Sequence, residues 1–184
     1  MILKGIKRNI RNIVNQSIII RNEKISDIDK IWEINADVFK MDAEANLVNE
    51  LRDSGCDFIS LVAETGNEVV GHILFTPVEL SGNPDLRIMG LAPMAVDDQY
   101  RKKGIGSGLI KAGLESCKSL NFGAVVVLGH PDYYPKFGFE PSVNFDIKSE
   151  YDVPDEVFML TELVPGYLKN NTGIIKYHEA FANV

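Results

Sequence analysis

The sequence predicts a single α/β domain. The chain has 184 residues, 45% of them hydrophobic, which is enough to build one sizeable core without a disulfide or a metal. Short β-branched runs alternate along the chain with segments of helical periodicity. No repeat, linker or change in composition divides residues 17–184, so we expect them to form one domain.

The first sixteen residues differ in charge from the remainder. They contain Lys4, Lys7, Arg8 and Arg11 and no acidic residue, whereas the whole chain has a net charge of −7. We predict that residues 1–16 form a loosely ordered basic extension, because disorder concentrates at chain ends. Organelle targeting and contact with a membrane surface stay open for this segment.

Composition argues against several classes of function. Asp and Glu number 26 against 19 Lys and Arg, which disfavours a broad basic face for nucleic acid. No apolar stretch approaches the ~18–20 residues that span a bilayer. Cys56 and Cys117 lie far apart with no metal-binding spacing, so we expect no metal and a reducing, cytoplasmic location.

The first third of the chain predicts one strand and two helices. The run 17–21 is β-branched, as in strands. Ser26 followed by Asp29 resembles a capping box and predicts a helix start there. A second helix is predicted over residues 43–53.

A hairpin and a proline-bearing strand are predicted next. Strands 58–64 and 68–78 flank the turn Thr-Gly-Asn, which is typical of an antiparallel hairpin. The strand 87–96 contains Pro93, which cannot donate a sheet hydrogen bond. We therefore expect a bulge, an edge or a loss of pairing at Pro93.

The second half predicts a long amphipathic helix followed by three strands. The helix covers residues 104–120 and turns Cys117 and Leu120 toward the core, so Cys117 is expected to be a core thiol. The apolar run 124–128 predicts a buried strand, and further strand signals lie at 157–163 and 172–177.

A glycine-rich segment with three cations precedes the long helix. The first amides of a helix lack intrahelical partners and, with the helix dipole, favour an anion. The spacing is neither Gly-x-Gly-x-x-Gly nor Gly-x-x-x-x-Gly-Lys-Ser/Thr, which excludes those two nucleotide-binding classes. A pyrophosphate cradle is predicted, with a flexible basic loop as the alternative. Its residues are Arg101, Lys102, Lys103, Gly104, Ile105, Gly106 and Ser107.

Three segments together resemble the GNAT family of acyl-CoA-dependent N-acetyltransferases. Residues 101–106 fit its Arg/Gln-x-x-Gly-x-Gly/Ala signature. The strand 89–96 looks like its bulged fourth strand, and residues 134–139 look like its Tyr-x-Lys/Arg-x-Gly-Phe segment. The resemblance implies the GNAT fold, a mixed and mostly antiparallel sheet splayed between the fourth and fifth strands and flanked by helices.

The resemblance also implies acetyl-CoA as co-substrate. The pantetheine would pair with backbone groups in the splay, and helix amides with cations would hold the pyrophosphate. A free backbone N–H near Ala95 would stabilise the oxyanion. The implied cofactor-binding residues are Met94, Ala95, Val96, Arg101, Lys102, Lys103, Gly104, Ile105, Gly106 and Ser107.

Tyr134 is the implied general acid. Its reference pKa of ~10 exceeds the ~8.5 of a thiol, so it stays protonated and can supply the departing thiolate. The neighbouring Tyr133 leaves a packing role open for this aromatic pair.

The sequence departs from the family pattern at two places. Gly129, His130, Pro131 and Asp132 stand where many members have an asparagine. Residues 86–96 contain no carboxylate, where many members have a glutamate as general base. A base would act through water, be dispensable, or come from a set that spacing does not narrow: His72, Glu79, Glu64 and Glu162. Of these His72 is expected to be a core residue, because its strand is apolar.

These observations predict an N-acetyltransferase that moves an acetyl group from acetyl-CoA to a primary amine of a small molecule or peptide by direct attack. The acidic surface favours a cationic acceptor. The alternative is a catalytically silent acyl-CoA-binding sensor or interaction module. Another acyl donor and pairing as a homodimer stay open.

Overall fold

The computed structural model describes residues 17–184, and the basic extension predicted over 1–16 lies outside the described residues. Within them, nine strands form one sheet in the order β1-β2-β3-β4-β5-β8-β6, and β9 joins β3 to β7. The pairs β4–β5 and β7–β9 are parallel and the others are antiparallel. The strands are β1 Ile19–Asn22, β2 Ile59–Thr65, β3 Glu68–Leu80, β4 Asn83–Val96, β5 Ala124–Leu128, β6 Glu140–Pro141, β7 Ile147–Ser149, β8 Phe158–Glu162 and β9 Gly173–Lys176.

Within residues 17–184, three α-helices cover the two faces of this sheet: α1 Ile28–Phe39, α2 Ala43–Asp53 and α3 Ile105–Ser119. Side chains alternate across a strand, so neighbouring β3 residues serve different cores. Phe75 packs under α3, whereas Leu74 packs under α1 and α2. The predicted α/β layering is confirmed.

The start of α1 lies later than the sequence predicts. Ile25–Asp27 forms a single 3-10 turn, and the Lys24 N–H donates to Asp27 Oδ2 at 2.7 Å. The predicted cap at Ser26 is therefore wrong, because Ser26 lies inside this turn and the N-cap of α1 is Asp27, whose side chain makes no capping hydrogen bond. Arg21 lies 2.6 Å from that carboxylate and lowers its pKa through a hydrogen bond.

The long helix confirms one prediction about its buried face and corrects another. Cys117 is fully buried, and burial raises the pKa of its thiol to about 12. Leu120, which was expected on the buried face, is 53% exposed. The helix ends at Ser119, so Leu120 leaves the helical periodicity that would have turned it inward.

Of the three outcomes expected at Pro93, a bulge and a loss of pairing are both present. Across β3 and β4 the register runs from Ile73 opposite Met94 to Phe75 opposite Leu91, which sets two β4 residues against one of β3. Pairing of β4 with β5 ends at Leu91, while β5 stays paired with β8 along its whole length. Residues 92–96 therefore line a gap between the two central strands.

No helix within residues 17–184 is long and apolar enough to cross a membrane.

Candidate active site

A cleft of about 1100 Å³ occupies the gap where β4 and β5 part. Its floor is the open stretch of β4, and the N-terminal end of α3 and the loop after β5 form one side. The opposite side comes from α1, α2 and the last turn of the chain. Residues that are distant in the sequence thus meet at the splay in the sheet.

The bulge decides which backbone groups of β4 face this gap. Before it, the Arg87 carbonyl accepts from the Gly123 N–H just ahead of β5, so odd-numbered β4 residues face β5. After it, the Asp97 N–H donates to the Val70 carbonyl of β3. Successive residues of a strand direct their N–H and C=O groups to opposite sides. The extra residue of the bulge therefore makes the even-numbered β4 residues face the gap after it.

The three β4 residues of the predicted pantetheine site therefore differ in the direction of their backbone groups. Backbone groups of Met94 and Val96 face the gap, whereas those of Ala95 face His72 of β3. The Ala95 side chain is also buried, on the α1–α2 side of the sheet. The backbone N–H groups near Ala95 that face the gap, and so could stabilise an oxyanion, are therefore those of Met94 and Val96.

The N-terminus of α3 presents unpaired amides to the cleft. Gly104 stands at the N-cap with φ 84°, and no side chain caps the helix. The Gly104 carbonyl accepts from the Gly108 N–H, which leaves the amides of residues 105–107 without intrahelical partners. A Cβ at Gly106 would lie 2.9 Å from the Tyr133 hydroxyl, so glycine permits this close approach.

Two of the three predicted cations lie on the cleft. Arg101 and Lys102 line it, and the Arg101 side chain lies 3.0 Å from the Asp98 carboxylate. Lys103 is not among the described lining residues; its Nζ lies 4.8 Å from the centre of the Tyr100 ring. Lys136, from the tyrosine segment, adds a positive charge to the wall.

Tyr134 lines the cleft although it is only 7% exposed. Its ring packs edge-on against Phe139 at 5.6 Å, and a Cβ at Gly129 would lie 2.2 Å from its Cε2. Burial raises the pKa of Tyr134 to about 12. The hydroxyl is thus held in its protonated form at any neutral or mildly alkaline pH.

Tyr133 has a different environment. It is half-buried, and Lys136 Nζ lies 3.7 Å from the centre of its ring, a cation–π contact. Its hydroxyl lies beside Gly106 at the start of α3. The two adjacent tyrosines therefore face different parts of the cleft.

The far side of the cleft contains a carboxylate that the sequence did not indicate. Glu44 lies in the first turn of α2, and its Oε2 is buried with no hydrogen-bond partner within residues 17–184. It is the single acidic side chain among the described residues that line the cleft. In the sequence it resembles an ordinary acidic residue at a helix start, and no motif marks it.

The four candidate bases lie away from the cleft. His72 is fully buried between Ser60 and Asn35, at 3.0 and 3.1 Å, and burial lowers its pKa to about 4. It is a core histidine, as expected. Glu64 pairs with Arg21, Glu162 accepts from two backbone amides of the 166–168 turn, and Glu79 lines a separate cavity. His130 alone among the histidines of residues 17–184 lines the cleft.

Within the described residues no cluster of three His, Cys, Asp or Glu side chains could hold a metal. Neither cysteine lines the cleft: Cys117 is in the core and Cys56 lines the separate cavity beside β4.

The fold matches solved acetyltransferase structures. One is the GNAT-family N-acetyltransferase YhbS of Escherichia coli in complex with CoA, with a TM-score of 0.87, 36% identity and coverage of 91% of this chain and 93% of that one. Another is a GNAT-family acetyltransferase of Brucella melitensis in complex with acetyl-CoA, with a TM-score of 0.76, 29% identity and coverage of 90% and 99%. The sheet and its cleft are therefore those of an acetyltransferase.

Sequence relatives give the family directly. The model of the acetyltransferase (GNAT) family matches residues 25–139. YhbS of Escherichia coli strain K12, an uncharacterised N-acetyltransferase, is 38% identical over 144 residues, 78% of this chain and 86% of its own. YjhQ of the same strain, also an uncharacterised N-acetyltransferase, is 38% identical over 135 residues, 71% and 75%. The chain belongs to the GNAT family and is an acyl-CoA-dependent N-acetyltransferase.

Proposed function

We propose that this enzyme transfers the acetyl group of acetyl-CoA to a primary amine by direct attack, with Tyr134 as general acid. The observation that carries the proposal is the buried Tyr134 on the wall of a cleft whose two ends differ in charge. Unpaired amides and cations lie at one end, and a lone carboxylate lies at the other. An anionic donor and a cationic acceptor would thus enter from opposite sides.

The α3 end suits the pyrophosphate of CoA. Backbone amides of residues 105–107 point out of the helix start, and Arg101 and Lys102 stand beside them. Ser107, which also lines the cleft, adds a hydroxyl. Lys103 lies over the ring of Tyr100 and not among the described lining residues, which leaves it a supporting electrostatic role.

The open stretch of β4 suits the pantetheine arm. Met94 and Val96 direct backbone N–H and C=O groups into the gap that β5 has left. A pantetheine amide lying there would replace the missing strand partner, a form of pairing that needs no particular side chain. One of these N–H groups can also stabilise the oxyanion that forms from the thioester carbonyl.

The chemical step transfers the acetyl group and releases one proton overall. The acceptor ammonium loses a proton to water, and the nitrogen lone pair attacks the thioester carbonyl. The new C–N bond forms and the C–S bond breaks, which leaves a CoA thiolate. Tyr134 gives its proton to the sulfur and regains one from the nitrogen, so the amide and free CoA thiol are the products.

Direct attack is favoured over an acetyl-enzyme intermediate. A thiol nucleophile would need to be exposed in the cleft as a thiolate. Cys117 is buried with a pKa raised to about 12, and Cys56 lies at another cavity. Neither can reach a thioester bound in the cleft.

A turnover assay distinguishes the enzyme from the alternative function, a catalytically silent acyl-CoA-binding module. Free thiol is recorded while the protein is incubated with acetyl-CoA and a panel of primary amines, after CoA binding has been measured by calorimetry. The enzyme should release thiol and form an equal amount of N-acetylated amine. Binding of CoA without turnover of any amine would support the module.

Four sequence predictions remain proposals. They are the single domain over residues 17–184, the basic extension over 1–16, a cytoplasmic location and pairing as a homodimer. Fractionation of cells and light scattering of the full chain test the last two.

A further inference from the structure

The carboxylate at the far end of the cleft lacks the partners that the other shielded carboxylates have. Asp27 is held by Arg21 and a backbone N–H, and Glu23 is held by Arg52 and Ser60. Glu44 Oε2 is equally shielded, yet no donor among residues 17–184 reaches it. An unpaired buried acceptor costs free energy, so a donor supplied by a ligand would be stabilised there.

A purely structural role does not account for this oxygen. An acidic residue in the first turn of a helix is favoured by the helix dipole, but that role is served with the carboxylate in solvent or on a backbone N–H. Glu44 instead lines the cleft and holds one oxygen away from water. Because the residue lines the cleft, a turn of the side chain would bring the shielded oxygen to an N–H donor there.

The surroundings of Glu44 define what kind of donor fits. The neighbouring wall is apolar and consists of Val38, Phe39, Leu47 and Phe181. A ligand with one cationic group on an apolar body would match both features. The second charge of a polyamine or the hydroxyls of an amino sugar would be desolvated against these side chains without partners.

We propose that Glu44 binds the amino group of the acceptor and that the acceptor is a primary amine on an aliphatic or aromatic body. This inference rests on the proposed acetyl transfer and adds the substrate class. On binding, the Glu44 side chain turns its shielded oxygen into the cleft, and the ammonium donates to that oxygen. After one proton has left to water, the neutral amine still donates an N–H to the same oxygen, so its lone pair is free to attack.

The test compares Glu44→Gln with Glu50→Gln. Both residues lie on α2, but Glu50 is exposed and is not among the described cleft residues, so its variant is the matched control. With hexylamine and phenethylamine, Glu44→Gln should raise the KM for the amine about 10- to 100-fold, the usual worth of a hydrogen bond to a charged group. The KM for acetyl-CoA and the melting temperature should match those of Glu50→Gln. Equal amine KM values in the two variants would overturn the role of Glu44.

Substrate class is tested with the unaltered enzyme. Hexylamine and phenethylamine should have higher kcat/KM values than spermidine, glucosamine and a lysine-containing peptide. Higher values for spermidine, glucosamine or the peptide would overturn the assignment of an apolar acceptor.

A binding experiment separates this inference from the proposed function. Calorimetry of hexylamine into the CoA-bound protein needs no turnover. Weaker binding to Glu44→Gln than to Glu50→Gln, with no acetylated product from any amine, would support the inference and overturn the catalytic proposal. Turnover with equal amine affinities in both variants would do the reverse.

Discussion

The two ends of the cleft are built in different ways. The α3 end is built mainly from one continuous segment, residues 101–107, which presents backbone amides with Arg101 and Lys102 beside them. Tyr133 and Lys136, from the loop after β5, lie next to this segment. The far end is assembled from separate segments and presents side chains, among them Val38, Glu44 and Phe181. One end is basic and polar, and the other is apolar with a single carboxylate.

Because of this difference, we expect the mode of donor binding to be shared within a family and the acceptor to vary between individual enzymes. In the proposed arrangement, backbone recognition of CoA depends on the bulge in β4 and on the start of α3, so many side-chain changes would leave it intact. In the same proposal, acceptor recognition at the far end depends on individual side chains, and replacing one would change the acceptor without disturbing the donor. We therefore expect substitutions to act on one substrate at a time, except at the wall between the ends.

The largest effect is expected at that wall. Tyr134→Phe should lower kcat about 10²- to 10⁴-fold, because it removes the proton for the leaving thiolate. The affinity for CoA should change little, since the ring that packs against Phe139 is kept. Initial rates of thiol release and calorimetry of CoA measure the two quantities.

Tyr133→Phe is the matched control for that variant. It removes a hydroxyl from the adjacent ring, which lies at the α3 end, and should leave kcat within a few-fold of the unaltered enzyme. Equal losses of kcat in the two variants would contradict the assignment of Tyr134 as general acid.

A smaller effect is expected at the basic end. Lys102→Glu should weaken CoA binding about tenfold at low salt and less at high salt, because an exposed charge beside a phosphate is screened by ions. The KM for the amine should not change. Lys103→Glu carries the same charge change outside the described cleft lining and should have a weaker effect on CoA binding. Identical losses in both variants would mean that overall charge, not the cradle, governs CoA binding.

The apolar end should respond more weakly still. Val38→Ala removes two methyl groups from a half-buried side chain on the cleft wall. Loss of about 0.8 kcal/mol would raise the KM for hexylamine about fourfold. The KM for acetyl-CoA serves as the internal control, and a rise in that value alone would place the acceptor elsewhere.

The pH dependence should show no effect of Tyr134 ionisation across the working range. Because burial raises the pKa of Tyr134 to about 12, the acid stays protonated well above pH 9. The rate at saturating acetyl-CoA should rise with pH as the amine deprotonates. No decrease in rate is expected at any pH up to about 10, the reference pKa of tyrosine. A falling limb between pH 8 and 9 would point to a different acid.

The basic end of the cleft was largely predictable from the sequence. Glycines next to cations at a helix start are local features, and Pro93 marked the bulge because proline cannot join a sheet ladder. The direction of the Ala95 backbone was not predictable, since a bulge displaced by one residue reverses which groups face the gap. The family resemblance implied that Met94, Ala95 and Val96 all contact the pantetheine. Because backbone direction alternates along a strand, only Met94 and Val96 of these can face the gap.

The far end was not predictable from the sequence. Glu44 is distant in the chain from Pro93 and from Phe181, and only the packing of α1 and α2 on the sheet brings them to one cleft. The misplaced cap at Ser26 has a local cause, because the chain forms a 3-10 turn over Ile25–Asp27 and Arg21, six residues earlier, holds the Asp27 carboxylate. Local patterns identify single elements, whereas long-range partners decide which side chains meet.

The most direct test of the two-ended cleft is a matrix of initial rates over acetyl-CoA and hexylamine concentrations. If both substrates occupy the cleft together and the amine attacks directly, double-reciprocal plots should intersect, and acetyl-CoA alone should leave no acetyl group on the protein. Parallel lines with an acetylated protein would show a covalent intermediate and contradict the account.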